Sequence, residues 1–503
     1  MKKVLLTFLL FPFILNAQTP NWEWANGWAT NLNGLQDIAV NDLGESYVIG
    51  HFTAGQIIFN DTYSGSGAYI AKFDTSGSYL WSYPVVITGQ STLSVALDLD
   101  NNGNIIAIFP GNSGGDITKI IKLDANGYLI NEVAFALGNG VPSMNLNSLE
   151  TDANNNIFIV YKGLGNIMVL RKYDLNLNLL WEKVATVNNN APTNGNIFNF
   201  TLTTDNNNNV IVNGLFAGIA SFDGNTITST GGTNARNNFF VKYDSNGNLI
   251  WLNSFASSGI PVTFQPDIYK IEVDTSGNIY GVGGVTATQF SFNGTNYNNS
   301  DPQIWLLKLD PNGQELWSHL AGDVGAVQSY EWGFDMSIRG NNLFITGQLA
   351  GGGLSLQTVI FDTIQTNALG NLFVASYSLD GNVQFVKTQQ LATLGSAYFF
   401  GIDSDQYGNL YLAGTSINHV YGALNLDGNI VSSNNVPGYT YELSLIAKLR
   451  TSGCKDPLAL NYDPSAIMDD GSCCYDCGKI EGFVYEDADT SGTYDSIVET
   501  PLG

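Results

Sequence analysis

Four cysteines, Cys454, Cys473, Cys474 and Cys477, fall within one 24-residue window near the end of a 503-residue chain. So close a set can form disulfides in any of three connectivities, or hold zinc through four thiolates. Just beyond them, Asp487, Asp489, Ser491, Thr493, Asp495 and Glu499 place side-chain oxygens at the spacing of a calcium loop. Upstream, Gly111-Asn112-Ser113-Gly114-Gly115 matches the Gly-x-Ser-x-Gly pattern that exposes a nucleophilic serine. Such a serine needs a base, and His51, His319 and His419 are the three histidines of the chain. The pattern also needs a helix after it, whereas residues 116–121 read as a strand. A glycine-rich loop between strands is the expected role.

Lys plus Arg number 19 against 44 Asp plus Glu, a formal charge of −25, and such a polyanion repels nucleic acid. Charged residues make up only 13% of the chain while aromatics reach 12%, which points to an all-β extracellular protein. Met1-Lys2-Lys3 and the apolar residues 4–15 form a charged start and a core too short to span a bilayer. We read residues 1–17 as a cleaved export signal that leaves Gln18 first. No cysteine follows the cut, so no lipid anchor is expected there, nor any membrane insertion after cleavage. Export makes disulfides the default state of the cysteines.

These residues must be positioned by repeats. Lys-apolar-Asp-x-x-Gly-x-x-apolar-Trp starts at Lys72, Lys242 and Lys308, with weaker copies at Lys122, Lys172 and Ser376 and a start at Lys448 that lacks its Trp strand. A second pattern, Asp-x-x-Gly-Asn-x-Tyr-x-x-Gly, is fullest at Asp274, Gly277, Asn278, Tyr280 and Gly283. It recurs from Asn41, Asp205 and Asp405 and in degenerate form near Asp100, Asp152 and Ile338. Each turn cluster lies between short β-rich runs, which is hairpin chemistry, so one repeat has four strands. Seven such units predict a β-propeller rather than a solenoid. The seventh repeat stops at its third strand, 445–449, while Asn21-Trp22-Glu23-Trp24-Ala25 is a strand without a repeat of its own. We expect it to become the outer strand of blade seven and close the ring. The repeated Asp and Trp should then be structural, the carboxylate capping a turn and the ring packing between blades.

The alternating motifs resemble the SBBP family of β-propeller repeats of secreted bacterial proteins, over roughly residues 21–453. That likeness implies a fold and no shared chemistry. The Asp-x-x-Gly-x-x-x-Trp unit also resembles the tryptophan-docking repeat of quinoprotein dehydrogenases, but its Asp stands one position too close to its Gly. Against the sialidase Asp-box its Trp is one position too far, so no organic cofactor is expected. Cys454-Lys455-Asp456-Pro457, Asn461-Tyr462-Asp463-Pro464 and Asp469-Asp470-Gly471-Ser472-Cys473 together resemble a module of secreted Bacteroidota proteins, which implies a Cys454–Cys473 disulfide. The segment from Gly482 to Glu499 resembles the opening of the calcium-binding B-type repeats of Sdr adhesins, with Glu499 one place later than in an EF-hand. It is too short to close a β-sandwich.

The expected organisation is therefore a signal peptide (1–17), a seven-bladed propeller (18–453), a Cys-rich linker (454–478) and a truncated Sdr B-like start (479–503), with calcium as the candidate ion of the last and surface attachment through a region further on. Connections between second and third strands are short in blades two and three and long in blades four to seven, at residues 215–237, 285–302, 348–369 and 415–441. These share one face, and insertions confined to a face often mark a binding surface. Phe216, Phe222, Tyr297, Tyr421 and Tyr439 are its candidate platforms for a glycan or surface protein. The competing expectation is that the loops fold back as hairpins with their aromatics packed beneath. The function expected is a secreted or cell-surface interaction protein without catalysis. The alternative is an extracellular propeller hydrolase, lyase or quinoprotein-like oxidoreductase acting on polysaccharide or a small substrate, which would need titratable groups converging at one site.

Overall fold

A blade sandwiched between two others must be apolar on both faces, and the second strands Ser46–Phe52, Val210–Ala217 and Ile279–Val285 are buried at every residue. The structure, a computed structural model, describes residues 19–30, 34–52, 57–58, 61–62, 66–86, 95–109, 117–136, 148–163, 165, 167–188, 196–229, 236–255, 266–285, 289–292, 295–298, 303–323, 331–349, 357–368, 372–388, 396–417, 424–431 and 442–476. Among these there is no helix; the strands form seven antiparallel sheets of four, two of them extended by a hairpin. The innermost strands, blade by blade, are Leu35–Val40, Ala96–Leu99, Leu149–Thr151, Asn196–Thr204, Pro266–Val273, Trp332–Arg339 and Ser396–Ser404. Each packs on the innermost strand of the blade before and after it, and the seventh packs on the first, so the circle is complete.

Closure is made by the strand expected to make it. Asn21–Thr30 pairs antiparallel with Glu442–Arg450 as the outer strand of blade seven. Trp24 stands opposite Lys448 just as Trp81 stands opposite Lys72 in blade one.

The repeat motifs explain how blades grip each other. In the Asp244 turn, Oδ1 accepts the Asn246 and Asn248 amides and the Gly247 amide donates to the Asp244 carbonyl. Gly247 has φ 83°, which only glycine adopts without strain. The indole N–H of Trp81, Trp181, Trp251 and Trp317 donates to the carbonyl of Ala125, Ser245, Pro311 and Leu379, each in the outer turn of the next blade. Trp24 does the same to Thr75 of blade one, 3.1 Å away, so the last clamp also closes the ring. Lys122, Lys172 and Lys242 pair with Asp100, Asp152 and Asp205 at 2.8, 3.4 and 2.9 Å. The repeated Asp and Trp are structural.

The long connections contain hairpins. Ile219–Phe222 with Asn225–Thr228 adds to the outer edge of blade three, and Gln357–Phe361 with Ile364–Ala368 adds to that of blade five. Both cover a sheet edge that would otherwise be open. Phe216 and Phe222, expected as exposed platforms, are instead fully buried, their rings 6.3 and 4.9 Å from Phe239. An aromatic ring gains more by filling the gap between blades than by facing water. Tyr297 lies on the strand Thr295–Asn298; its side chain, like Tyr421 and Tyr439, falls outside the described residues. Blade one carries a further small hairpin, Ile57–Ile58 with Asp61–Thr62, in a connection absent from the sequence reading.

Cys454 and Cys473 are disulfide-bonded, as the module's likeness implied, and Cys474 is disulfide-bonded too. A zinc site of four thiolates is thereby excluded. The module is held to blade seven by the Thr451 hydroxyl, which donates to the Gly408 carbonyl, and by the Ser452 hydroxyl on Asn409 Oδ1 at 2.7 Å. Cys477 and the calcium candidates Asp487, Asp489, Ser491, Thr493, Asp495 and Glu499 lie outside the described residues.

Candidate binding site on the propeller axis

Five of the seven innermost strands carry a surplus over their partner strand. The register slips between Leu35 and Asp37, Phe198 and Thr201, Ile268 and Lys270, Gly333 and Asp335, and Phe399 and Gly401. A bulge turns a side chain out of the in-and-out alternation. The residues so displaced include Gln36, Tyr269, Phe334 and Phe400. At each bulge the partner strand offers the last Gly of the second repeat motif: Gly50, Gly214, Gly283, Gly347 and Gly414. A Cβ on Gly283, Gly347 or Gly414 would overlap the carbonyl oxygen of Asp267, Trp332 or Tyr398. The motif ends in glycine because two backbones close in there.

The bulged aromatics assemble into an arc along blades five to seven. Tyr269 lies 5.5 Å from Trp332 and 6.0 Å from Phe334, Phe334 lies 5.2 Å from Phe400, and Phe400 lies 6.2 Å from Tyr398, all between ring centroids. All five are half-buried. They sit at the ends of the innermost strands that pair with the starts of the long connections, Trp332 with Gln348 and Ser396 with Ile417. The face singled out by loop length is therefore the face of the arc, although the side chains proposed for it were different ones. In blade four, Phe198 continues the series beneath the Arg236 guanidinium, 4.3 Å from its ring.

Further along the axis is a cavity of about 120 Å³ lined by six carboxylates and one ammonium: Asp37, Asp98, Glu150, Glu272, Asp335, Asp403 and Lys270. The register sorts them into two tiers. Asp37, Lys270 and Asp335 directly follow the bulges, while Asp98, Glu150, Glu272 and Asp403 stand deeper, opposite Ile106, Phe158, Tyr280 and Tyr411 at the Tyr position of the motif. Most of the carboxylates staple one blade to the next. Asp37 accepts the Leu97 amide, Asp98 that of Thr151, Glu272 that of Ile338, Asp335 that of Ile402 and Asp403 that of Val40, at 2.7 to 2.9 Å.

So many buried carboxyls cannot all ionise easily. Burial, reinforced by the neighbouring charge of Asp335, pushes Asp37 up to about 8. Burial also raises Glu272 to about 8, Asp403 to about 7 and Asp335 to about 6, and lifts Asp98 and Glu150. Burial works against the Lys270 ammonium too, but Asp335, Glu150, Glu272 and Asp37 outweigh it and hold its pKa above the ordinary value. The side chains of Lys270 and Glu272 keep 16% and 25% exposure because they face the cavity.

Among the described residues, the other candidates for chemistry do not converge. His319 is packed against Trp317 and Tyr377, 5.0 and 6.2 Å between centroids, and His51 is buried within a second strand. Residues 110–116, with Ser113, and His419 lie outside the described residues, but Ile117–Leu123 is a strand, so the helix of a nucleophile elbow is missing.

Fold and site together define a seven-bladed β-propeller with an aromatic arc over an acidic axial cavity. No family model matches the chain. An uncharacterized WD repeat-containing protein of Acanthamoeba polyphaga mimivirus is 26% identical over 220 residues, covering 37% of this chain; the match spans 15% of that relative's length. Among solved structures, the chain is similar to the polysaccharide lyase Uly1, with 11% identity, a TM-score of 0.42, and 86% and 93% of the two chains covered. An apocarotenoid oxygenase mutant of Synechocystis gives 12%, 0.37, 83% and 93%, and a protein of unknown function from Bacteroides caccae gives 11%, 0.33, 68% and 92%. No function is taken from likenesses this distant.

Proposed function

We propose that this is a secreted or cell-surface interaction protein whose propeller captures a glycan or a surface protein at the axial mouth and turns nothing over. The observation that carries the reading is the bulge-displaced arc of Tyr269, Phe334 and Phe400. Three half-buried aromatics on a rigid scaffold form a platform for sugar rings or for an inserted side chain. The raised carboxyls favour the enzyme alternative, since perturbed groups in a cavity are common at active sites. Five of the six, however, are bonded to backbone amides of the adjoining blade, a geometry suited to holding the ring. The attachment of the Cys-rich module to blade seven fits a linker leading to an adhesin-like stalk, and the SBBP likeness fits the exported address. Glycan and surface-protein arrays probed with the full chain test the reading. A Phe334→Ala/Phe400→Ala protein should lose its hits while keeping its fold, and undiminished binding by that variant would sink the assignment.

A further inference from the structure

Two cations lie over the aromatic at the blade-four end of the mouth. The Arg236 guanidinium is 4.3 Å from the Phe198 centroid, and the Lys162 ammonium is 6.0 Å from it. Lys162 stands near the end of the second strand of blade three, Ile157–Gly163, and Arg236 just before the third strand of blade four, Asn237–Tyr243. The lysines of the repeat serve the fold: Lys122, Lys172 and Lys242 each sit on a carboxylate. Lys162 does not do so among the described residues. Its ammonium donates to Asn196 Oδ1 of blade four, 2.9 Å away, and burial together with the charge of Arg236 pushes its pKa down. Counted from the residue opposite the start of the first repeat motif, its place is held in other blades by His51, Leu215, Gly284, Gln348 and Thr415. The propeller itself therefore needs no ammonium there.

The pair stands at one end of the arc. The innermost strand of blade four packs on that of blade five, and the charge of Arg236 acts on Asp267, two residues before Tyr269. Asp267 is half-buried with its Oδ1 wholly covered, and burial raises its carboxyl to about 6, against the Asn199 hydrogen bond and the pull of Arg236. Arg236 is exposed and carries five N–H donors in a planar fork, the geometry that grips a carboxylate or a sulfate. A row of rings across three blades suits a chain of repeating rings better than a peptide, whose side chains alternate in direction. The net charge of −25 and the six axial carboxylates exclude a dense polyanion from this mouth. An acid group received here is therefore an isolated one.

Building on the reading that the arc binds a glycan, we propose that its ligand is a sugar chain bearing an isolated acid group, a uronate or a sulfate ester, which Lys162 and Arg236 hold while neighbouring sugar rings lie on the arc.

The test is an array that carries neutral oligosaccharides beside their uronate-bearing and singly sulfated counterparts, together with acidic peptides, probed with the full chain. Calorimetric titration with each neutral and acidic pair that binds then gives the ratio of affinities. The acidic member should bind about thirtyfold tighter than its neutral parent, less so as sodium chloride is raised, and the uronate and sulfate members separate the two sources of acid. Arg236→Gln and Lys162→Met should each cut the ratio about fivefold, and Asp267→Asn should raise it about threefold as a competing negative charge leaves. A merely structural residue would not move this ratio. Equal binding of acidic and neutral members, or a ratio that Arg236→Gln leaves unchanged, overturns the proposal while the arc stands as a glycan platform. Binding of acidic peptides alone overturns it in favour of a protein partner, and no binding to any member removes both the proposal and the glycan reading. Should Lys162→Met fail to fold, the exposed Arg236 decides alone.

Discussion

Replacing Trp22 and Trp24 with alanine removes two of the three indoles that seat the closing strand and leaves the rest of the chain intact. Trp22 is 4% exposed and packs 5.8 Å from Phe399 in the core of blade seven. Losing a buried aromatic of this size costs about 3 to 5 kcal/mol. Its Nε1 is buried without a partner, which favours the lower end. Trp24 is half-buried, lies over Gly77 and donates to the Thr75 carbonyl, adding about 2 kcal/mol. The sum, roughly 5 kcal/mol, is a large part of the 5 to 15 kcal/mol that folded proteins usually hold. For a chain of this size it should lower the melting temperature by roughly 5 °C. The freed strand Glu442–Arg450 is an apolar edge, so size-exclusion chromatography should also show self-association on warming. A melting temperature within a degree or two of the parent would refute the idea that this strand holds the ring.

Three further outcomes are expected. Gly283→Ala puts a methyl group against the Asp267 carbonyl and should cost roughly 2 to 4 kcal/mol in denaturant unfolding, because the bulge beside Tyr269 has to move. The axial carboxyls have folded pKa values above their unfolded ones, so their contribution to stability is complete below about pH 4 and is lost as pH rises through about 6 for Asp335, 7 for Asp403 and 8 for Asp37 and Glu272. The melting temperature of chelator-treated protein should therefore fall from pH 5 to pH 9, and a rise over that range would contradict the buried acidic ring. A Cys454→Ser/Cys473→Ser protein should lose about 3 kcal/mol from the small module alone. Calorimetry should show the propeller transition unmoved.

The ring was legible because its motifs do local work. Asp-x-x-Gly makes a turn wherever it occurs, and the Lys and Trp that bond to the next blade's turn repeat with it, so seven copies announce seven blades. Even the orphan strand at Trp22 could be placed by counting. The face that carries the arc was legible through loop length, but the side chains of the arc were not. Phe216 lies at the end of a second strand and Phe222 on the hairpin that follows it, and nothing local distinguishes an aromatic that lies over the surface from one that packs beneath a blade edge. Tyr269, Phe334 and Phe400 were passed over because they read as ordinary strand residues. The signal was present in Gly283, Gly347 and Gly414, whose partners needed an extra residue, but that pairing is set across strands and not along one.

The charge on the axis remains to be accounted for. An Asn carboxamide oxygen could accept each amide that Asp37, Asp98, Asp335 and Asp403 accept, without repulsion, and blade four has Thr201 and Thr203 at the two corresponding register positions. Stapling the blades needs an acceptor at these places, not an anion. Six anions beside one Lys270 raise the cost of folding above the pKa values of the carboxyls, and nothing in the blade contacts recovers it. Proteins tolerate such local conflict chiefly where a site does something else. The excess charge is thus the part of this fold that structure alone does not require, and it lies on the axis beneath the aromatic arc.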